Sequence, residues 1–177
     1  MSHTHTYRAT LSWEGSTAAG YDHYDRTHTV QVPPARAALT LSGDPAFLGN
    51  PDRPNPEQLL LAAASSCQLL SFLAFAARSR IEISAYSDEA EAIMPEDDLP
   101  VRITRITLRP RITVGPGANV DRVYRLVDKA HDECYIANTL NAELRIEPEV
   151  VVALLLVPAV LLLVAAALLP ALAGGRI

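Results

Sequence analysis

Asn55–Arg78 reads NPEQLLLAAASSCQLLSFLAFAAR, and its pattern predicts one long buried helix carrying a thiol, Cys67. Asn55 suits the N-cap, Pro56 the first helical position, where its missing N–H costs nothing, and Gln58 lies three residues past the cap, able to reach back to it. From Leu59 to Ala77 there is no charge, and Leu, Ala and Phe fall on every face. No surface-helix stripe can be drawn, so both sides call for cover by protein or lipid. Ser65, Ser66, Gln68 and Ser71 make lipid the poorer solvent, which places the helix in a protein core. Arg78 and Arg80 suit the negative end of the helix dipole.

The chain has 177 residues, a formal net charge of -5 and a pI near 5.5. That length supports one domain with a real core, and an appendage besides. The acidic balance gives no general attraction to nucleic acid, whose binding leans on Lys and Arg. The opening MSHTHTYRATLSWEG lacks a basic start followed by an apolar run, so no signal peptide is read and a cytoplasmic body is expected. A cytosolic chain with a sizeable core rarely keeps a structural disulfide. Cys67 and Cys134 therefore read as thiols with chemical work to do.

Working outward toward the N-terminus, Tyr7, Ala9, Leu11 and Trp13 alternate with polar residues as a half-buried strand does, and GSTAAG (15–20) supplies a turn. In the return segment Tyr24, Arg26, His28, Val30 and Val32 share a parity. If the valines face the core, Arg26 either faces inward with them or snorkels out at the strand end. A third strand is expected over 37–42. DPAFLGNPDRPNP (44–56) is a rigid loop leading into the helix.

Toward the C-terminus, Ile81, Ile83 and Ala85 begin a strand that runs into a polar segment ending near Pro95. VRITRITLRPRITV (101–114) reads as another, with a register break between Ile103 and Ile106, and Pro110 implies an unpaired side. Asn119 caps a second helix from Val120 to about Tyr135. Val123, Val127, Ala130 and Cys134 recur on its buried face, and a closing strand runs through Ile146. The folded domain is thus expected over 1–149. Residues 150–177 form an uncharged apolar tail up to Arg176, long enough to span a membrane, where roughly 20 residues are needed. It reads either as an anchor or as an extra segment, one that packs on the body or arises from a reading-frame artefact. Pro158 and Pro170 argue against a straight span.

Five stretches together resemble the OsmC/Ohr family of thiol-dependent peroxidases: YDHYDRTH (21–28), DPAFLGNPDRPNPEQLL (44–60), SSCQLLSFL (65–73), ITLRPRITV (106–114) and AHDECYIANTLN (130–141). The resemblance covers about residues 7–147 and is nearer the OsmC-like branch. It implies an α+β fold, with curved antiparallel sheets around two long central helices in an intertwined homodimer. It also implies two-cysteine reduction of organic hydroperoxides, with a dithiol such as a lipoylated protein as reductant. Carried over by motif position, Cys67 is the peroxidatic thiol, Cys134 the resolving thiol, Glu57 the carboxylate and Arg26 the guanidinium near the thiolate. Arg53 is the substitute candidate. Gln68 departs from the branch, which often has His after the first cysteine.

The chemistry calls for these residue types. A free thiol is mostly protonated at neutral pH, and an arginine that stays charged when desolvated favours the thiolate that attacks an O–O bond. A second thiol condenses with the resulting sulfenic acid before it over-oxidises. Glu57 and Cys67 stand ten positions apart, about 15 Å along a straight helix. Glu57 is therefore expected to serve the thiol of a partner chain in a dimer. His131 shares a face with Cys134 but reads mainly as a core-edge histidine. His3, His5, His23 and His28 show no ligand spacing, and no cofactor or metal is assigned. The alternative to the peroxidase is a non-enzymatic OsmC-like protein that binds an apolar ligand or partner, or senses redox state.

Overall fold

The computed structural model describes residues 3–153. It begins with an antiparallel meander, β1 (Thr10–Ser12), β2 (His28–Gln31) and β3 (Leu39–Leu41), in that spatial order. These strands are shorter than their alternation suggested. β2 starts only at His28, so its parity does not reach back to Arg26.

The loop into the long helix is closed by polar bonds. The Ser42 amide donates to the Pro54 carbonyl and the Asn50 amide to Ser42 Oγ. Gly49 packs so tightly on Gly43 that a Cβ there would lie 1.7 Å from the Gly43 carbonyl oxygen, which only glycine tolerates. Asn55 then caps α1 (Pro56–Arg78) in the anticipated capping box, while its own side-chain amide donates to Asp44. The loop is therefore tied to the helix it introduces.

Six further strands build one strip folded across its middle. β4 (Ile83–Asp88), β7 (Pro110–Val114) and β9 (Glu149–Val152) form one half, and β5 (Glu91–Ile93), β6 (Arg105–Leu108) and β8 (Glu143–Ile146) the other. Arg109 sits at the fold line. Its amide donates to Asp88, its guanidinium to Glu91 and Glu147, and the Glu147 amide donates to the Leu108 carbonyl. One residue thus ties all three strands where they bend. α2 (Val120–Asp132) packs against α1, and each half of the strip covers a different part of the long helix. Phe72 and Ala76 meet Ile112, Val114, Val123, Val127 and Ala130, while Ala64 meets Ile106 and Leu108.

Four expectations need correction. The strip is mixed rather than wholly antiparallel, because β8 and β9 pair in parallel with β6 and β7. β7 is a central strand, and Pro110 is accommodated as its first residue, at the fold line, where a ladder amide is not required. The chain continues past Ile146 into β9, so a boundary at 149/150 falls inside a strand. The break in the 101–114 stretch lies at Arg109, and the bulge lies instead on β4 between Ile83 and Ala85, where it turns Tyr86 toward Phe72. The rest of the tail, 154–177, with the anchor question attached to it, lies outside the described residues.

α1 is long and apolar enough to cross a membrane by composition, yet it is the core helix of this fold. Ser65 donates to Asp88 and Gln68 to the Val127 carbonyl. Within one chain, however, its burial is one-sided. Ala64, Gln68, Phe72 and Ala76 form a buried stripe at four-residue spacing, and Leu60, Leu70 and Leu73 stand exposed on the other side. A single chain leaves that face uncovered.

Candidate active site

Cys67 stands at the middle of α1, half-buried, in a cleft of about 520 Å³ lined by Ala63, Leu70, Ala74 and Phe75 with Ser66, Ser71, Arg78, Glu133 and Tyr135. The last two flank Cys134 in sequence, and that is how the second thiol arrives. α2 ends earlier than expected, at Asp132, and a tight turn carries the chain on: the Cys134 amide donates to the His131 carbonyl, and the Asn138 amide to the Cys134 carbonyl. Cys134 keeps the inward direction of the α2 face and is buried, 1% exposed.

The two thiols are close enough for Cys67 to perturb Cys134, and both are free. Burial, reinforced by the neighbouring Cys67 thiol, pushes the Cys134 thiol up to about 11, against some relief from the Ala137 amide that donates to its sulfur at 3.4 Å. Cys134 therefore sits beside Cys67 as a protonated thiol at neutral pH.

The other expected site residues are elsewhere in the chain. Arg26 is partly buried, its guanidinium stacked over the rings of Tyr24 (4.0 Å) and Tyr21 (4.7 Å) and donating to the carbonyls of both. It lines a second, largely apolar cleft of about 440 Å³ with Leu11, Trp13, His28, Gly43 and Pro56. Glu57, at the first turn of α1, lines a third cleft with Asp44, Leu61, Met94 and Ile103. Arg53 is exposed in the loop before the helix. α1 runs unbroken from Pro56 to Arg78, so Glu57 and Cys67 remain about 15 Å apart along it. The structure brings Cys67 and Cys134 together and places neither Arg26 nor Glu57 in their cleft. Pro56 borders the Arg26 cleft, so Arg26 and Glu57 belong to the same end of the helix.

The sequence pattern gave no sign that Arg78, Glu133 and Tyr135 would share the thiol cleft. Arg78 read only as a helix end, and the other two follow from the tight turn after α2. His131 has a buried Nδ1 with no partner among the described residues. Among those residues no cluster of three or more His, Cys, Asp or Glu is placed to hold a metal.

A family model described as OsmC-like protein matches residues 49–149, which include α1, both thiols and the folded strip as far as the start of β9. The chain belongs to the OsmC-like family. The uncharacterized protein YmaD of Bacillus subtilis (strain 168) is 30% identical over 101 residues, covering 54% of this chain and 67% of its own length. An OsmC-like protein of unknown function from Vibrio cholerae superimposes with a TM-score of 0.74 at 24% identity, over 84% of this chain and 100% of its own. An organic hydroperoxide resistance protein from Elizabethkingia anophelis does so with a TM-score of 0.64 at 19% identity, over 86% and 100%. The chain shares its fold, α+β with two helices against bent sheets, with these two solved structures.

Proposed function

We propose that this OsmC-like chain is a thiol-dependent peroxidase that reduces organic hydroperoxides through a two-cysteine cycle. One observation carries the reading: two free thiols, one on α1 and one in the turn after α2, stand together beside a largely apolar cleft, one accessible and one buried and protonated. Names of structural relatives, such as the organic hydroperoxide resistance protein from Elizabethkingia anophelis, point the same way.

In the proposed cycle the Cys67 thiolate attacks one oxygen of ROOH and the O–O bond breaks. The alkoxide takes a proton and leaves as ROH, and Cys67 is left as a sulfenic acid. Cys134, already in reach, gives up its proton as its sulfur attacks Cys67, and water leaves as the disulfide forms. An external dithiol then returns two electrons and two protons, and a lipoylated protein is a candidate. Leu70, Ala74 and Phe75 would hold the organic part of the peroxide.

Arg26 and Glu57 enter this reading through a homodimer. The exposed Leu60, Leu70 and Leu73 form an apolar face on α1, and burying apolar surface stabilises association by about 25 cal/mol per Å². A partner helix packed there would bring its own Glu57 and Arg26 toward a Cys67 that cannot reach them in its own chain. The same reading places the protein in the cytoplasm, where two free thiols stay reduced.

The test is a thiol count on the reduced protein before and after one equivalent of cumene hydroperoxide, with peptide mass spectrometry. Loss of two thiols per chain, a Cys67–Cys134 link and one equivalent of cumyl alcohol are expected. Unchanged thiols would refute the proposal.

A further inference from the structure

Gln68 follows Cys67 on α1 and is buried to 1% exposure among side chains that are otherwise almost all apolar. Its Nε2 donates across the helix pair to the Val127 carbonyl at 3.1 Å, while its Oε1 has no partner among the described residues. An apolar side chain of the same length would avoid desolvating that carbonyl oxygen. Packing alone therefore does not account for a glutamine here.

The position of Val127 supplies the reason. It precedes Cys134 by seven residues, five of them in α2 and the last two in the tight turn after it, so the helix whose carbonyl Gln68 holds is the one that delivers the second thiol. Cys67 and Gln68 are neighbours on α1. Gln68 thus ties α1 to the body of α2, and the thiol pair would tie α1 to the turn at the end of α2. Helices joined at one point can still slide and rotate, whereas a second link fixes both motions. A disulfide needs an S–S distance near 2.05 Å and a narrow range of Cα separations, so its closure is sensitive to such freedom.

We propose that Gln68 is a positioning residue: by holding the Val127 carbonyl it keeps α2 in register with α1, and so sets how readily Cys67 and Cys134 close to a disulfide. The inference builds on the two-thiol reading but does not require the substrate to be a peroxide.

The test equilibrates the full chain with glutathione and glutathione disulfide, traps free thiols by alkylation and measures the linked fraction by mass. In this exchange the two cysteines lose two electrons and two protons, and one glutathione disulfide becomes two glutathiones. Gln68→Met keeps the length and removes the donor. It is expected to shift the equilibrium about tenfold toward the dithiol, about 30 mV in potential. Gln68→Glu gives a pH-dependent control, because a buried carboxyl group has a raised pKa and, while neutral, can donate to the same carbonyl. Relative to wild type at each pH, Gln68→Glu should be near normal at pH 6 and shifted like Gln68→Met at pH 8. A purely structural role would lower melting temperature without this pH-dependent shift in potential. Wild-type equilibria within twofold in both variants would overturn the proposal, as would a wild-type chain that forms no Cys67–Cys134 link. If Gln68→Met does not fold, the pH dependence of Gln68→Glu decides alone. No peroxide enters the assay, so a shifted equilibrium in a protein that leaves cumene hydroperoxide intact would support this inference and refute the peroxidase.

Discussion

Cys134 lies fully buried beside Cys67, whose thiol together with burial raises its pKa, while Cys67 itself faces a cleft. In the proposed cycle this asymmetry would set the order of events, with the accessible sulfur meeting the oxidant and the buried one waiting beside it.

Cys67→Ser is therefore expected to abolish hydroperoxide turnover, by a factor of about 10³ or more, comparable to losing a catalytic nucleophile. Cys134→Ser should still consume one equivalent and then stop, with Cys67 trapped as a sulfenic acid or as an adduct with dimedone. Single-turnover peroxide assays with intact-mass measurement separate the two variants. Wild-type turnover by Cys134→Ser with a dithiol reductant would remove Cys134 from the cycle.

The raised Cys134 thiol predicts a pH dependence of stability. In the unfolded chain the group ionises near 9.0, and in the folded chain near 11. Between these values the unfolded state has lost a proton that the folded state keeps, so raising the pH favours unfolding. The contribution is fully present below pH 9 and is lost as pH rises through 11. Burial, with the nearby Asp88 charge, also raises the Tyr86 phenol, which adds to the same trend at the alkaline end. The comparison that isolates the thiol is the reduced wild type against Cys134→Ala. Urea midpoints from pH 8 to 11 should fall more steeply for the wild type, and parallel curves would contradict the burial argument.

β9 makes the C-terminal boundary testable. A chain ending at Ala153 keeps β9, its parallel pairing with β7 and the packing of Val150 on the core. A chain ending at Glu147 loses the parallel pairing with β7 and the Val150 side chain that packs on the core. The cost should be about 2–3 kcal/mol, as for deleting a buried aliphatic side chain, which at this size lowers the melting temperature by roughly 5–10 °C. Calorimetry on both chains checks it. Equal melting temperatures would show that β9 adds nothing.

What the sequence revealed follows from which signals are local. The cap at Asn55, Pro56 and Gln58 is complete within four residues, and the inward spacing of Val123, Val127 and Ala130 lies within one helix. Both were therefore legible. The family resemblance was carried by residues around the two thiols, and the fold followed from it. β9 was missed because Val150–Val152 merge with the apolar residues after them, and only pairing with β7 marks them as strand. The bulge after Ile83 was hidden because Ser84 and Ala85 fit an alternating pattern equally well until Tyr86 is seen packing on Phe72. The Arg26 environment was not legible either. Its partners are two backbone carbonyls and two rings within the hairpin loop, and strand parity does not describe a loop.

The separation of Arg26 and Glu57 from the thiols leads to the last prediction. α1 is straight enough to keep Glu57 about 15 Å from Cys67, and Arg26 stands near the same first turn as Glu57. If the site were complete in one chain, neither residue could touch the thiol pair. If two chains pack through the exposed Leu60, Leu70 and Leu73 face, each thiol pair is completed by the other chain's Arg26 and Glu57. Glu57→Ala and Arg26→Ala should each slow the reaction of Cys67 with peroxide by about 10²-fold, as removal of an activating neighbour does, whereas Arg53→Ala should change it less than threefold. Co-refolding an inactive Cys67→Ser chain with a Glu57→Ala chain then gives heterodimers with one site carrying both lesions and one carrying neither. Activity should return to about half the wild-type value per heterodimer. Arg26→Ala in place of Glu57→Ala should complement in the same way, provided Arg26 crosses with Glu57. Purified heterodimers that stay inactive would mean that every site keeps one lesion, and so that each chain uses its own residues.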